Sequence, residues 1–128
     1  MVSANMLATI EKRRIVDSFE YKSIVSLEFL GEKIEVKSWR HALLWICEYL
    51  SKIDKNKIEE LKYNKEFRGS FRFYFTDESI PSMNKQIPGT DTFVWVNNNA
   101  NITASLIKKL VRYYGYDPYE VYAYVTER

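Results

Sequence analysis

Ser38-Trp39-Arg40-His41-Ala42-Leu43-Leu44-Trp45-Ile46-Cys47-Glu48-Tyr49-Leu50-Ser51-Lys52-Ile53 places apolar side chains at Trp39, Leu43, Ile46, Cys47, Leu50 and Ile53, mostly at spacings of three and four. That recurrence puts them on one stripe of an α-helix about four turns long, with Arg40, Glu48 and Lys52 off the stripe. Ser38 stands where an N-cap belongs, since its hydroxyl can accept from a free N–H of the first turn. A second stripe, Leu106, Ile107, Leu110, Val111 and Tyr114, predicts another amphipathic helix, capped by Asn101 or Thr103 and stopped by Gly115.

Outward from Ser38 toward the N-terminus, the period falls to two. Val25, Leu27 and Phe29 alternate with Ser26 and Glu28. Ile34 and Val36 then alternate with Glu35 and Lys37, with Gly31-Glu32 as a tight turn between the two runs. This predicts a β-hairpin with one buried face. Further upstream, Ser3 as cap with Met6, Leu7, Ile10 and Ile15 predicts a helical segment over residues 1–20, fraying near Phe19.

Toward the C-terminus, Ile58 and Leu61 anchor a short helix over Lys57–Lys62. Ser70–Thr76 reads as a strand with Phe71, Phe73 and Phe75 on one side and Arg72 and Tyr74 on the other. Asp77–Asp91, with Pro81 and Pro88-Gly89, reads as a long irregular loop. Thr92–Val96 is apolar on both faces, as a central strand is, and Asn97-Asn98-Asn99 ends it. After Asp117-Pro118, Val121, Ala123 and Val125 alternate with Tyr122 and Tyr124 in a last strand. Strands in blocks with helices between them predict a single α+β domain over 1–128, its core at 24–125. Its architecture is one mixed or antiparallel sheet of about five strands with helices packed on it. The expected core is Trp39, Leu43, Ile46, Leu50, Phe73, Trp95, Leu106 and Leu110.

A length of 128 residues suits one domain, and 46% hydrophobic with 28% charged residues is a globular rather than a disordered composition. The formal charge of +2 is far from that of a strongly cationic nucleic-acid binder. Ten tyrosines and seven phenylalanines either fill the core or supply a wet binding surface. One cysteine, Cys47, allows no internal disulfide, which fits a reducing cytoplasm. The first ten residues hold no long apolar run of a signal peptide, and no stretch is long and apolar enough for a membrane span.

Catalytic material is scarce. His41 is the lone histidine, one helical step from the apolar stripe, so neither a zinc set nor a nucleophile–histidine pair can be assembled around it. Four scattered glycines make no phosphate loop. Glu35-Val36-Lys37, with Glu28 and Asp17, has the residue types of a magnesium-dependent nuclease, in which carboxylates hold the metal and lysine positions water. The simpler reading is the solvent face of the hairpin. No cofactor and no resident metal are expected.

Two sets of residues are candidates for binding. The first is a partner surface built on the Asp77–Asp91 loop: Met83, Lys85 and Ile87, joined by Tyr74, Tyr113 and Tyr116. The second is a nucleic-acid surface of Arg72 with Lys108, Lys109 and Arg112, where tyrosines interleave with cations. Lys12-Arg13-Arg14 is a further basic cluster. Arg68-Gly69-Ser70-Phe71-Arg72-Phe73-Tyr74-Phe75 resembles the RNP1 strand of RNA-recognition modules at Arg68, Gly69 and Phe75 and departs from it at Ser70, Phe71 and Arg72.

One longer resemblance spans Val25 to Val125. It rests on Phe29-Leu30-Gly31-Glu32-Lys33-Ile34-Glu35-Val36 leading into Ser38-Trp39-Arg40, on Thr92–Val96 with its asparagines, and on Ile107-Lys108-Lys109-Leu110 with Tyr114-Gly115-Tyr116-Asp117-Pro118. On these the chain resembles a small domain of phage and bacterial defence proteins, often appended to restriction-type or nuclease partners. The resemblance implies an accessory, non-catalytic role in phage–host conflict and carries over no catalytic residue. The expectation is a binding module, not an enzyme, that engages a protein partner such as a nucleic-acid-handling defence complex as inhibitor or adaptor. The alternatives are nucleic-acid binding and, more remotely, the nuclease.

Overall fold

Leu30 and Gly31 both sit at positive φ, 51° and 76°, and join two antiparallel strands through a two-residue turn in which Phe29 pairs with Glu32. Positive φ at both central positions is the turn whose twist matches the strands it joins. The expected hairpin is therefore present, with its turn one residue earlier than Gly31-Glu32. The computed structural model describes residues 9–70 and 72–127. Ser3, Met6 and Leu7, expected in a first helix, and Phe71, expected on a strand, lie outside them.

In chain order the strands are β1 (Glu11–Arg14), β2 (Lys22–Phe29), β3 (Glu32–Glu35), β4 (Phe75–Thr76), β5 (Asn84–Gln86), β6 (Phe93–Trp95) and β7 (Tyr122–Glu127). The helices are α1 (Trp39–Ile53), α2 (Lys55–Glu60) and α3 (Ala100–Tyr113), with short 3-10 turns at Leu61–Tyr63, Lys65–Phe67 and Pro118–Glu120. The α+β class holds. The expected single sheet does not: two antiparallel sheets form, one ordered β1-β7-β2-β3 and one ordered β4-β6-β5.

The segment 11–14, expected in a helix, is a strand because β7 offers it a free edge. Glu11 pairs with Val125 and Arg14 with Tyr122, and the Ile15 amide donates to the Val121 carbonyl at 2.8 Å. That ladder and the burial of Ile15 outweigh a weak local helical preference. Four charged residues in sequence also suit an edge, where they discourage further pairing. On β2 a bulge between Ile24 and Ser26 puts Ile24, not Val25, beside Leu27 and Phe29 in the core.

Both long helices form, and their stripes are buried except at the C-terminal ends, Ile53 and Tyr114. Ser38 accepts from the His41 amide at 3.1 Å, and Trp39, Leu43, Ile46, Cys47 and Leu50 are buried, while Ile53 is exposed. In α3 the cap is Asn99, which accepts from the Ile102 amide at 2.8 Å, rather than Asn101 or Thr103. Asn101 instead accepts from the Phe19 amide at 2.7 Å, tying the N-terminal segment to this helix. Gly115, at φ 87°, closes α3: its amide donates to Arg112 and that of Tyr116 donates to Val111, the paired bonds of a Schellman stop.

The region 68–91 departs most from expectation. Gly69 donates to Arg72 and Arg68 bridges Phe73, and among the described residues of the expected Ser70–Thr76 strand only Phe75–Thr76 is a strand. Phe73, expected in the core, is 45% exposed. Asp77–Asp91 is not wholly irregular, since Asn84–Gln86 pairs with β6. In β6 the apolar residues divide by face. Val94 is buried, whereas Phe93 and Trp95 are half-buried, so Trp95 is not a core residue either. One continuous buried cluster then draws Leu27, Ala123 and Val125 from the large sheet, Phe75 and Val94 from the small one, and Leu43, Ile46 and Leu110 from the helices.

Candidate functional site

Alternation along β7 points Ala123 and Val125 into the core and leaves Tyr122 and Tyr124 on the opposite face. Register then dictates what flanks them. Lys12 on β1 lies opposite Tyr124, which lies opposite Ser26 on β2, which lies opposite Glu35 on β3. In the next row Arg14 lies opposite Tyr122, then Glu28, then Lys33. Lys12, Arg14, Lys33 and Glu35 are exposed and the two tyrosines half-buried, while the helices cover the other face.

These side chains touch. The Lys12 ammonium stands 4.2 Å from the Tyr122 ring centroid, and the Lys33 ammonium 3.9 Å from that of Tyr124. The Tyr124 hydroxyl donates to the Glu28 carboxylate at 2.6 Å, and this bond is the main reason its phenol is held above the ordinary tyrosine range. A line of cation, ring, ring and cation thus crosses the sheet, with no aliphatic side chain on it.

The residues singled out for a partner surface do not form one site in this way. Ile87, expected on the partner surface, is fully buried. Met83 is half-buried and its sulfur accepts from the Asn97 amide side chain at 3.2 Å. Lys85 is exposed, opposite Val94 on the small sheet. Tyr74 lies over Gly69, where an added Cβ would stand 3.0 Å from the phenol oxygen. Tyr113 packs on Phe67 with centroids 5.7 Å apart and donates to the Lys57 carbonyl, and Tyr116 packs on Phe29 at 5.5 Å. These tyrosines are structural pins.

The alternative cationic set is also dispersed. The Arg72 guanidinium stacks on Trp95 at 4.3 Å, on the small sheet. On α3, Lys109 reaches the Glu66 carbonyl, Lys108 borders the turn at Ile15–Ser18, and Arg112 is exposed. The nuclease candidates do not converge: Asp17 accepts from the Arg14 amide, Glu28 from Tyr124, and Glu35 pairs with Ser26. Among the described residues no three His, Cys, Asp or Glu side chains lie together as metal ligands. His41 Nδ1 accepts from the Lys37 amide, and Cys47 is enclosed, its thiol pushed far up by burial.

A cleft of ≈ 280 Å³ lies where the first turns of α1 and α3 meet, lined by Ser38, Trp39, Arg40 and Asn97–Asn99. That is at the lower edge of the volumes small-molecule sites occupy. No helix among the described residues is long and apolar enough to cross a membrane. No protein-family model, curated protein or solved structure matches this chain.

Proposed function

We propose that this protein is a non-catalytic binding module that acts by stoichiometric contact with a macromolecular partner, and that the contact surface is the open face of the four-stranded sheet. The observation that carries the reading is the arrangement of Lys12, Tyr122, Tyr124 and Lys33 on a sheet whose other face packs against the core. Tyrosine offers large contact area with few torsions to freeze, and a sheet holds such side chains more firmly than a loop does. This face replaces the Asp77–Asp91 loop and the α3 lysines as the place of contact. The setting we propose, on the sequence resemblance alone, is phage–host conflict.

A diazirine side chain placed singly at positions 35 and 126 of the same face, and at the highly exposed Tyr63 as control, tests this in living cells. The expected outcome is a discrete adduct from 35 and 126 and none from 63. Adducts of equal yield from all three positions, or none from the sheet positions, would remove the open face as the contact surface.

A further inference from the structure

We infer that the open sheet face binds single-stranded nucleic acid, with the rings of Tyr122 and Tyr124 as platforms for two successive bases and Lys12, Arg14 and Lys33 as phosphate contacts. This rests on the reading of that face as the contact surface.

The two rings sit at alternate positions of one strand, so they are about 6.6 Å apart along it at a rise of ~3.3 Å per residue. The half-buried rings are held in place from both sides, by Lys12 over Tyr122 and Lys33 over Tyr124. An ammonium resting on a ring face occupies the position a base would take, and its flexible stem lets it move to a phosphate when the base arrives. Cations flank the tyrosines on both sides, Lys12 and Arg14 on the adjacent β1 and Lys33 on β3, one strand beyond β2.

Composition favours this occupant over a protein. The centre of a protein interface is typically depleted in charge and enriched in aromatic residues and Met. Here the two rows of the face hold three cations, two carboxylates, two tyrosines and a serine, and no aliphatic residue stands in either row. Base stacking needs only ring faces, and phosphates need only cations. A duplex keeps its base faces stacked on one another, so the preference is for unpaired strands.

Glu28 and Glu35 oppose a polyanion. Glu28 is bonded to Tyr124 and lies opposite Lys33, whereas Glu35 is exposed at the β3 edge opposite Ser26. Glu35→Gln should therefore tighten binding.

Fluorescence anisotropy of labelled 20-nucleotide single-stranded DNA and RNA, and of the matching duplex, tests the inference on the full chain. Binding to single strands should weaken with salt at a logarithmic slope of about −2, as three phosphate contacts would give. Tyr122→Ala should weaken it on the order of tenfold while Tyr122→Phe keeps it, and Lys33→Gln should reduce the slope by about 0.7. Circular dichroism of each variant guards against loss of fold. No binding to single strands at low salt, equal binding to the duplex, or indifference to Tyr122→Ala would overturn the inference. Nuclease treatment of the adducts from positions 35 and 126 separates the two readings. Adducts that survive it as protein–protein species overturn nucleic acid as the ligand but keep the face, and absence of adducts removes the face itself.

Discussion

Tyr124 on β7 and Glu28 on β2 are joined by a 2.6 Å hydrogen bond from phenol to carboxylate on the outer face of the large sheet. The pair fixes the orientation of one of the two rings on the proposed surface. It also has a consequence for alkaline titration. Donation to Glu28 raises the Tyr124 pKa, and burial does the same for Tyr113 and, more strongly, Tyr114. A raised folded pKa means the folded chain prefers the neutral phenol. The stability this contributes is complete below the unfolded value near 10 and is lost as pH rises through the folded values. Absorbance at 295 nm should show fewer phenolates at about pH 10 in the folded protein than in denaturant. The urea midpoint should fall as pH is raised beyond that point, and Tyr124→Phe should delete one late-titrating group.

Leu43 and Leu110 are fully buried on α1 and α3, which pack on each other. Truncating either leaves a cavity that neighbours fill only in part. Leu43→Ala or Leu110→Ala should each cost about 2–5 kcal/mol in denaturant unfolding. Unchanged midpoints for both would remove the assigned core.

Asn84 is buried and stitches the turn before β5 together, accepting from the Ile80 amide at 2.8 Å and donating to the Glu78 carbonyl at 2.9 Å. Asn84→Ala leaves both backbone groups without this partner and should cost about 1–3 kcal/mol. Replacing Ser82–Gln86 by a flexible linker should be more damaging still, because it deletes β5 and unseats Ile87. A variant of wild-type stability would show the segment to be an inert connection.

Leu30 holds a left-handed conformation, φ 51°, in the β2–β3 turn and is 47% exposed. Leu30→Asn places a residue tolerant of that conformation before Gly31 and should stabilise by up to about 1 kcal/mol. Gly31→Ala, at φ 76°, should destabilise by about as much. Thermal denaturation of the two variants gives opposite signs if the turn is as described.

Cys47 is fully enclosed and burial drives its thiol pKa well above the ordinary range. It should react with a disulfide reagent only as fast as the protein opens, and stoichiometrically within minutes in denaturant. Fast labelling of native protein would contradict that enclosure.

The sequence by itself determined the parts whose signal is local. The stripe from Trp39 to Leu50, the stripe from Leu106 to Val111, the stop at Gly115 and the alternation of Ala123 and Val125 against Tyr122 and Tyr124 are periodicities and caps contained within one element. Helical hydrogen bonds close within four residues, so a short window holds nearly all that is needed to recognise them. Strand pairing was decided only in the tertiary structure. Glu11–Arg14 is a strand because β7, more than a hundred residues later, has an open edge. Asn84–Gln86 is a strand because β6 pairs with it, and the division into two sheets follows from which edges meet. The candidate site shares that origin. Lys12, Arg14, Lys33, Tyr122 and Tyr124 were visible as separate residues on three segments, but neither their shared face nor its rows exist until β7 inserts between β1 and β2, because register between distant strands is set by the core they jointly bury.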